Sequence, residues 1–512
     1  MRKRLFTIIP IVAMLLLGLT SAIKAQDVRS FNFNHQNDGF QIIEQKSNSI
    51  NINFNISKLD LSSLDYKGEE MHEVGIKGIV IPNDKGMPNV PSLSTMIAIP
   101  VGAEANVNVI SFEKELIENV NIAPSRGIEP QDAEPQLDYI KNEKVYSKNE
   151  FYPKEFVSIG EQTSIRGVDI VVLNVNPVQF NPVTKEVIIY HNIELAIDYK
   201  GGNGQFGKDA YRSPYFDPIL AQNIINYNSL PKIDYEARFQ QWIKDDADGY
   251  EYLIITPNND AWAPYAKQLA DLRTKQGILT KVFRLDEMGV TSTNELKAWF
   301  HDAYNNWTIK PVAVCLLADH NNNMSMGIPA EVIPHSYSGA CITDNQYADP
   351  DGNLLPDMTF SRLIAQDETE LPIFVGKQIE YEVENPNMDA DSYKYPVTAL
   401  GWQTERWFQL CSEVAGGYFR SIGKEPVRIN QIYQGNPDAE NIWSSADNTS
   451  LVVDYFGPNG LGYITATPGE MGDWNNGSPQ QIVDAINSGT FLVQHRDHGL
   501  ETGWGEPAFR NN

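Results

Sequence analysis

The sequence predicts an all-β domain followed by an α/β domain with a mainly parallel sheet, and three observations carry that prediction. Up to about residue 230, short apolar or alternating runs are punctuated by Pro and Gly, the pattern of many short strands joined by turns. Beyond residue 250, compact apolar runs alternate with segments of helical periodicity, the pattern of an α/β sheet. Between them lies a polar, charge-rich stretch suited to a linker.

The chain opens with Arg2, Lys3 and Arg4, an apolar run from Leu5 to Leu19, and small residues at Ser21, Ala22 and Ala25. A basic start, a short apolar core and a small residue at the cut define a secretory signal peptide over 1–25. The run falls short of the roughly 20 residues that a membrane span needs, and no later run approaches that length. The expectation is export to the medium or the cell surface, with no membrane span.

Residues 26–230 form the predicted β-rich domain. Ile50 to Ile56 alternates apolar and polar residues, the period of a half-buried strand. Gly78–Ile81, Ile170–Leu173 and Val187–Tyr190 are continuously apolar and also read as strands, with turns at Asn176-Pro177 and Asn181-Pro182. The region suggests a sandwich, and no strict internal repeat is visible. Residues 231–249 read as a linker with one short helix.

Residues 250–512 form the predicted α/β domain. Tyr252–Thr256 is a compact strand, followed by a helix with Trp262, Tyr265, Ala266, Leu269 and Leu272 on one face and Gly277 at its stop. A strand at Thr280–Leu285, a helix around Leu296, Trp299, Phe300 and Ala303, and a buried strand at Pro311–Leu317 follow. Near the end, Ser478 and Pro479 open a helix that Gly489 closes, and Thr490–Gln494 reads as a strand.

Composition excludes one class of partner. With 66 acidic against 40 basic residues and a net charge of −26, the chain lacks the basic footprint that nucleic acid requires. Its three cysteines, Cys315, Cys341 and Cys411, form neither a disulfide framework nor a zinc signature. Cys315 belongs to an apolar strand, where a thiol is inert; Cys411 sits on a helix and Cys341 in a loop.

In α/β folds, chemistry gathers beyond the carboxyl ends of the strands. There the sequence places Gln494-His495-Arg496-Asp497-His498-Gly499. A histidine leaving a strand into a glycine turn can exchange protons with a substrate, and the Gly499 N–H could face a developing oxyanion. On residue pattern alone, a histidine that only caps the loop is the favoured reading.

The segment His498-Gly499-Leu500-Glu501-Thr502-Gly503-Trp504 resembles the His-Gly-x-Glu-Thr-x-Trp segment of the gingipain family of cysteine peptidases. Leu316–His320, Thr343–Tyr347 and Asp357–Arg362 resemble further landmarks of that family in the same order, and 26–230 resembles its propeptide. The resemblance implies a caspase-like α/β fold, hydrolysis of peptide bonds in a protein or peptide substrate, and a propeptide that contacts its own peptidase domain. It implies His498 as catalytic base and, through Ala399–Glu405, Glu405 as the acid that supports it; the alternative for Glu405 is a surface carboxylate at a helix start. No acidic residue for a pocket recognising Arg or Lys is placed by the resemblance.

The family's nucleophilic Cys lies after a further helix and strand beyond the histidine. The 14 residues after His498 contain no Cys, and a parallel crossover takes about a dozen residues before its strand begins. The expectation is therefore an exported peptidase precursor with no nucleophile in these 512 residues. The alternative is a non-catalytic exported binding or adhesion protein on a peptidase scaffold. No cofactor is required by this chemistry. The family's use of calcium directs attention to Asp349, Asp351 and Asn353, whose Asp-Pro-Asp-Gly-Asn run is otherwise a turn.

Overall fold

The computed structural model describes residues 28–34, 37–76, 79, 83–127, 139–335, 339–384, 390–446, 449–500 and 502–510. The signal peptide expected over 1–25, and most of the run expected as a strand at Gly78–Ile81, lie outside the described residues.

The N-terminal region is all-β and antiparallel. One sheet centres on the long strand Glu186–Gly201, which pairs with Val178–Asn181, Ser49–Asn55 and Ala103–Ile117; Gly39–Gln45 adds at the far side of Ser49–Asn55. A second sheet sets Val168–Val175 between Leu93–Ala98 and the short strands Val157–Ile159 and Thr163–Ile165. A third joins Val28–Asn32, Lys58–Tyr66 and Glu69–Ile76. The alternation in Ser49–Asn55 has the expected cause: Ile50, Ile52 and Phe54 are fully buried in the core while their neighbours are half-buried.

The stretch read as a linker carries a helix of 11 residues, Tyr235–Asp245, capped by the Asp234 side chain on the Ala237 N–H and ended by Asp246 in the left-handed region at φ 46°.

The C-terminal region holds two parallel sheets instead of the single sheet expected. In the first, the order is Thr280–Arg284, Tyr252–Thr256, Ala313–Leu316, Thr359–Arg362. The helices Ala263–Lys275, Thr293–Asn306 and Leu371–Ile379 contribute to the core of this unit through Leu269, Phe300 and Val375. In the second sheet Val397–Gly401 is central, flanked by Val427–Gln431 and Val493–Arg496. Helix Phe408–Ser421 covers one face, where Ser412 Oγ donates to Gln494 Oε1 at 2.7 Å and Glu413 pairs with Arg428 at 2.8 Å. Helix Pro479–Asn487 covers the other, with Ile482 packed on Val397, Ala399 and Ile429. Covering both faces buries the central strand Val397–Gly401 along its whole length.

Three expectations are corrected. The last strand is Val493–Arg496, not Thr490–Gln494: Thr490 turns its hydroxyl to the Tyr395 carbonyl at 2.7 Å, and pairing with Val397–Gly401 starts at Val493. The strand expected over Pro311–Leu317 is shorter, Ala313–Leu316, because the Val312 and Ala313 N–H groups both go to the Glu251 carbonyl. Cys341 is not in a loop: it lies in Gly339–Thr343, one half of an antiparallel hairpin with Glu331–His335.

Among the described residues, no helix is long and apolar enough to cross a membrane.

Candidate active site

The second parallel sheet brings three chain segments out at one edge. Leu400 lies opposite Arg496 and Gly401 opposite Gln431, so the carboxyl ends of all three strands are side by side. Beyond them run the segments bearing Glu405, Tyr433 and His498. Alternation along the last strand then sorts its side chains. His495 faces one side, where it stacks on Trp504 with centroids 4.0 Å apart and Nε2 lies 3.1 Å from the Glu506 carbonyl oxygen. Arg496 and His498 face the other, toward Phe408 at the start of the covering helix.

His498 is held from several directions. Its ring meets Phe408 edge-on at 5.3 Å. Its backbone N–H donates to Asp497 Oδ1, and its carbonyl accepts from the Gly505 N–H at 2.7 Å. Trp504 anchors the loop on the opposite face of the sheet, and its backbone N–H donates to the Phe509 carbonyl at 2.9 Å. The glycine-turn expectation changes in detail: the chain leaves His498 as a two-stranded hairpin, Gly499–Leu500 with Gly503–Trp504. Gly499 is exposed and a Cβ there would meet no atom within 4 Å, whereas Gly503, at φ 142°, carries the bend and has no room for a Cβ beside the Phe509 carbonyl.

Glu405 stands at the same edge, in the turn before the covering helix. Its carboxylate accepts from Gln434 Nε2 at 3.1 Å and from Thr404 Oγ1 at 3.3 Å. Among the described residues, no hydrogen bond joins it to His498. Tyr433 stands at the same edge, where its hydroxyl is kept from ionising first by burial and then by the charges of Asp497, Glu405 and Glu506.

Sequence reasoning did not single out the residues that complete this edge: Asp497, Glu506, Tyr433 and Gly401. Asp497 Oδ2 and Glu506 Oε2 are buried without a hydrogen-bond partner. Burial raises the Asp497 carboxyl above its usual range, with Glu506 adding to the rise and His498 and Arg496 opposing it. Gly401 makes room for the group, since a Cβ there would overlap Asp497 Oδ2 and approach Glu506 and Tyr433 to 2.8 Å. No local pattern marked this group, because the space is made by Gly401 on one strand and filled by Asp497 beyond its neighbour.

The cysteines lie in different settings. Cys315 is buried in the first sheet, and burial pushes its thiol up to about 11. Cys411 is one turn along the covering helix from Phe408, beside Arg496. Part of its surface is open to solvent, yet the protein crowded around the sulfur raises its thiol, and Arg496 opposes the rise. Cys341 is half-buried in its hairpin.

The run considered for calcium is a turn. One Asp349 oxygen takes the Gly352 and Asn353 N–H groups at 2.8 and 3.1 Å, and the other takes Leu354 N–H at 2.9 Å. Asp351 Oδ2 accepts from Ser164 Oγ and from Asn353 Nδ2. Among the described residues, no group of three or more His, Cys, Asp or Glu is placed to hold a metal ion.

Two known families match the chain in succession. Residues 32–233 match the family Propeptide_C25, and residues 245–512 match Peptidase family C25. The chain is similar to Lys-gingipain W83 of Porphyromonas gingivalis, at 24% identity over 471 residues, 89% of this chain and 24% of that protein. It is similar to Gingipain R1 of the same organism, at 24% identity over 484 residues, 93% of this chain and 42% of that protein. The chain thus spans less than half the length of these two relatives. Among solved structures, the complex of the pro- and mature domains of Porphyromonas gingivalis RgpB aligns at 24% identity and a TM-score of 0.34, over 38% of this chain and 100% of that one.

Proposed function

The chain belongs to peptidase family C25, and from that premise we propose that it is an exported precursor of a gingipain-like cysteine endopeptidase with a caspase-like catalytic domain. The observation that supports this best is His498, fixed at the carboxyl edge of a parallel sheet by Phe408, Asp497 and Gly505.

In this reading a thiolate attacks the scissile carbonyl carbon and the carbonyl electrons move to oxygen. His498 takes the thiol proton and returns it to the leaving amine, which departs as the carbonyl re-forms. Water then gives a proton to His498 and adds to the thioester carbon, and the C–S bond breaks to release the carboxylic acid and restore the thiolate. The Gly499 N–H, on an exposed strand next to the base, faces the developing oxyanion. Glu405 supports the imidazolium by its charge at the same sheet edge, its own hydrogen bonds going to Gln434 and Thr404. None of Cys315, Cys341 and Cys411 is assigned as nucleophile. The β domain acts as a propeptide on its own peptidase domain, and residues 1–25 direct export with cleavage after Ala25. The chemistry proposed requires no cofactor.

The test is expression of the reading frame continued past Asn512, assayed against mixed peptides under reducing conditions. Thiol-dependent cleavage lost in His498→Ala is expected. A continued frame with no strand ending in Cys, or cleavage unchanged by His498→Ala, would instead favour a binding protein on this scaffold.

A further inference from the structure

Arg166 is an arginine only 1% exposed, and it sits where the two regions of the chain meet. The strands Thr163–Ile165 and Val168–Val175 are joined by just Arg166 and Gly167, with φ of 49° and 72°. Two residues at positive φ make the tight hairpin turn that suits the twist of its strands, but a side chain other than Asn or Asp is unfavourable there. Gly167 is pressed against the Tyr211 ring, leaving no space for a Cβ. An arginine held in that conformation and buried needs strong compensation.

The compensation comes largely from the α/β domain. Arg166 Nη1 donates to the Pro311 carbonyl at 2.7 Å and the Asp357 carbonyl at 2.8 Å, while Nε donates to the Tyr211 carbonyl at 2.6 Å. The guanidinium lies between the Phe216 and Tyr304 rings, at 5.4 and 5.2 Å. The Arg166 backbone N–H donates to Asp357 Oδ1. Two residues earlier in the hairpin, the Ser164 carbonyl accepts from Asn353 Nδ2 at 2.7 Å and its hydroxyl donates to Asp351 at 2.7 Å. Val312, next to Pro311, is packed into the core of the β domain.

Pro311 and Asp357 shortly precede the neighbouring strands Ala313–Leu316 and Thr359–Arg362 of the first parallel sheet. The socket is therefore at the amino edge of that sheet. His498 and Glu405 stand at the carboxyl edge of the other sheet, so the contact is separate from the candidate active site.

We propose that the socket formed by Pro311, Tyr304 and the 349–357 turn is the docking surface for the β domain, with Arg166 as the pin that holds the two domains together. The socket suits a guanidinium and not an ammonium: two carbonyls and a ring from one domain, a carbonyl and a ring from the other, match a planar fork with several fixed donors. Among the described residues no carboxylate is hydrogen-bonded to the guanidinium, so recognition rests on hydrogen-bond geometry and ring stacking, which salt screens little. The docking itself does not rest on reading the β domain as a propeptide.

The test uses the full chain with a specific protease site placed between Asp246 and Gly249, nicked after folding. Wild-type halves are expected to elute together. Arg166→Ala and Arg166→Lys are expected to weaken their association by about tenfold or more, with hydrogen exchange in Glu186–Gly201 and Tyr252–Thr256 unchanged. Asn353→Ala, which touches only the socket rim, should weaken it less and in the same direction, and keeps the test open if an Arg166 variant does not fold. Association of nicked Arg166→Lys and Asn353→Ala equal to wild type, in folded protein, would overturn the proposal. Separation by Arg166→Lys, together with no peptide cleavage by the protein expressed from the reading frame continued past Asn512, would uphold the docking surface while removing the peptidase reading.

Discussion

The imidazole of His498 meets the ring of Phe408 edge-on, with centroids 5.3 Å apart and an angle of 82° between the planes. The Arg496 guanidinium lies over the same ring, 4.9 Å from its centroid. One buried side chain at a helix start thus orients two residues that leave the last strand on the same side.

Phe408→Ala should therefore cost about 3–5 kcal/mol, the range for emptying a buried aromatic site, and should free the His498 loop. Phe408→Leu should retain most of the stability and lose the edge contact. Urea unfolding checks the first statement, and hydrogen exchange at the Gly505 N–H, which bonds to the His498 carbonyl, checks the second. Equal exchange in wild type and Phe408→Ala would show that the loop is held without the ring.

Gly401→Ala should destabilise the same edge, because the added methyl overlaps Asp497 Oδ2. Asp497→Gly in that background should recover part of the loss, a coupling of about 0.5–3 kcal/mol by double-mutant cycle. Additive effects would mean that Tyr433 and Glu506, the other groups in the way, set the whole penalty.

How much of this was legible follows from which interactions are local. Ser49–Asn55 showed its burial in its own alternation, and the Pro479–Asn487 helix showed its start in Ser478 and Pro479; in the structure Ser478 and Gln481 form a reciprocal cap. His498 was placed at a strand end because apolar residues precede it. The strand limits there were off by three residues at the start, since Thr490, Phe491 and Leu492 look like a strand, while the pairing register with Val397 decides where one begins. Arg166 gave no signal at all: Arg-Gly between two short strands reads as an exposed turn, and only contacts 145 and 191 residues away reveal that it is buried. Asp497 was invisible for a related reason, because the space it fills is made by Gly401 on another strand.

Asp357 gives the interface a pH dependence. Burial, partly offset by the Arg166 N–H and charge and reinforced by Asp351 and Asp349, raises its carboxyl to about 7; the buried Tyr304 and Glu251 also stand near Arg166. An acid raised in the folded state binds its proton more tightly there than in the unfolded chain, so its contribution falls as pH rises from about 4 to 7. Asp357→Asn keeps an oxygen for the Arg166 N–H and removes the titration. Stability measured at pH 5 and pH 7.5 should therefore change less with pH in Asp357→Asn than in wild type. An identical pH difference in the two proteins would exclude Asp357 as a contributor.

The last prediction concerns the thiols and bears on which group attacks the substrate. A nucleophilic cysteine needs thiolate character and access. Cys315 has neither, being buried in the first sheet with its thiol pushed up to about 11. Cys411 is nearer the candidate base in the fold, one helical turn from Phe408 and beside Arg496; it has access, but its surroundings raise the thiol and so deny it thiolate character. Alkylation by iodoacetamide at pH 7.5, read by mass spectrometry, should leave Cys315 unmodified until the protein is unfolded. Cys411 should react more slowly in the native chain than after unfolding, and His498→Ala should not change its rate, because no proton passes between the two. A Cys411 that reacts faster in the folded protein, and slows in His498→Ala, would reveal an activated thiol–imidazole pair and reopen its assignment as the nucleophile.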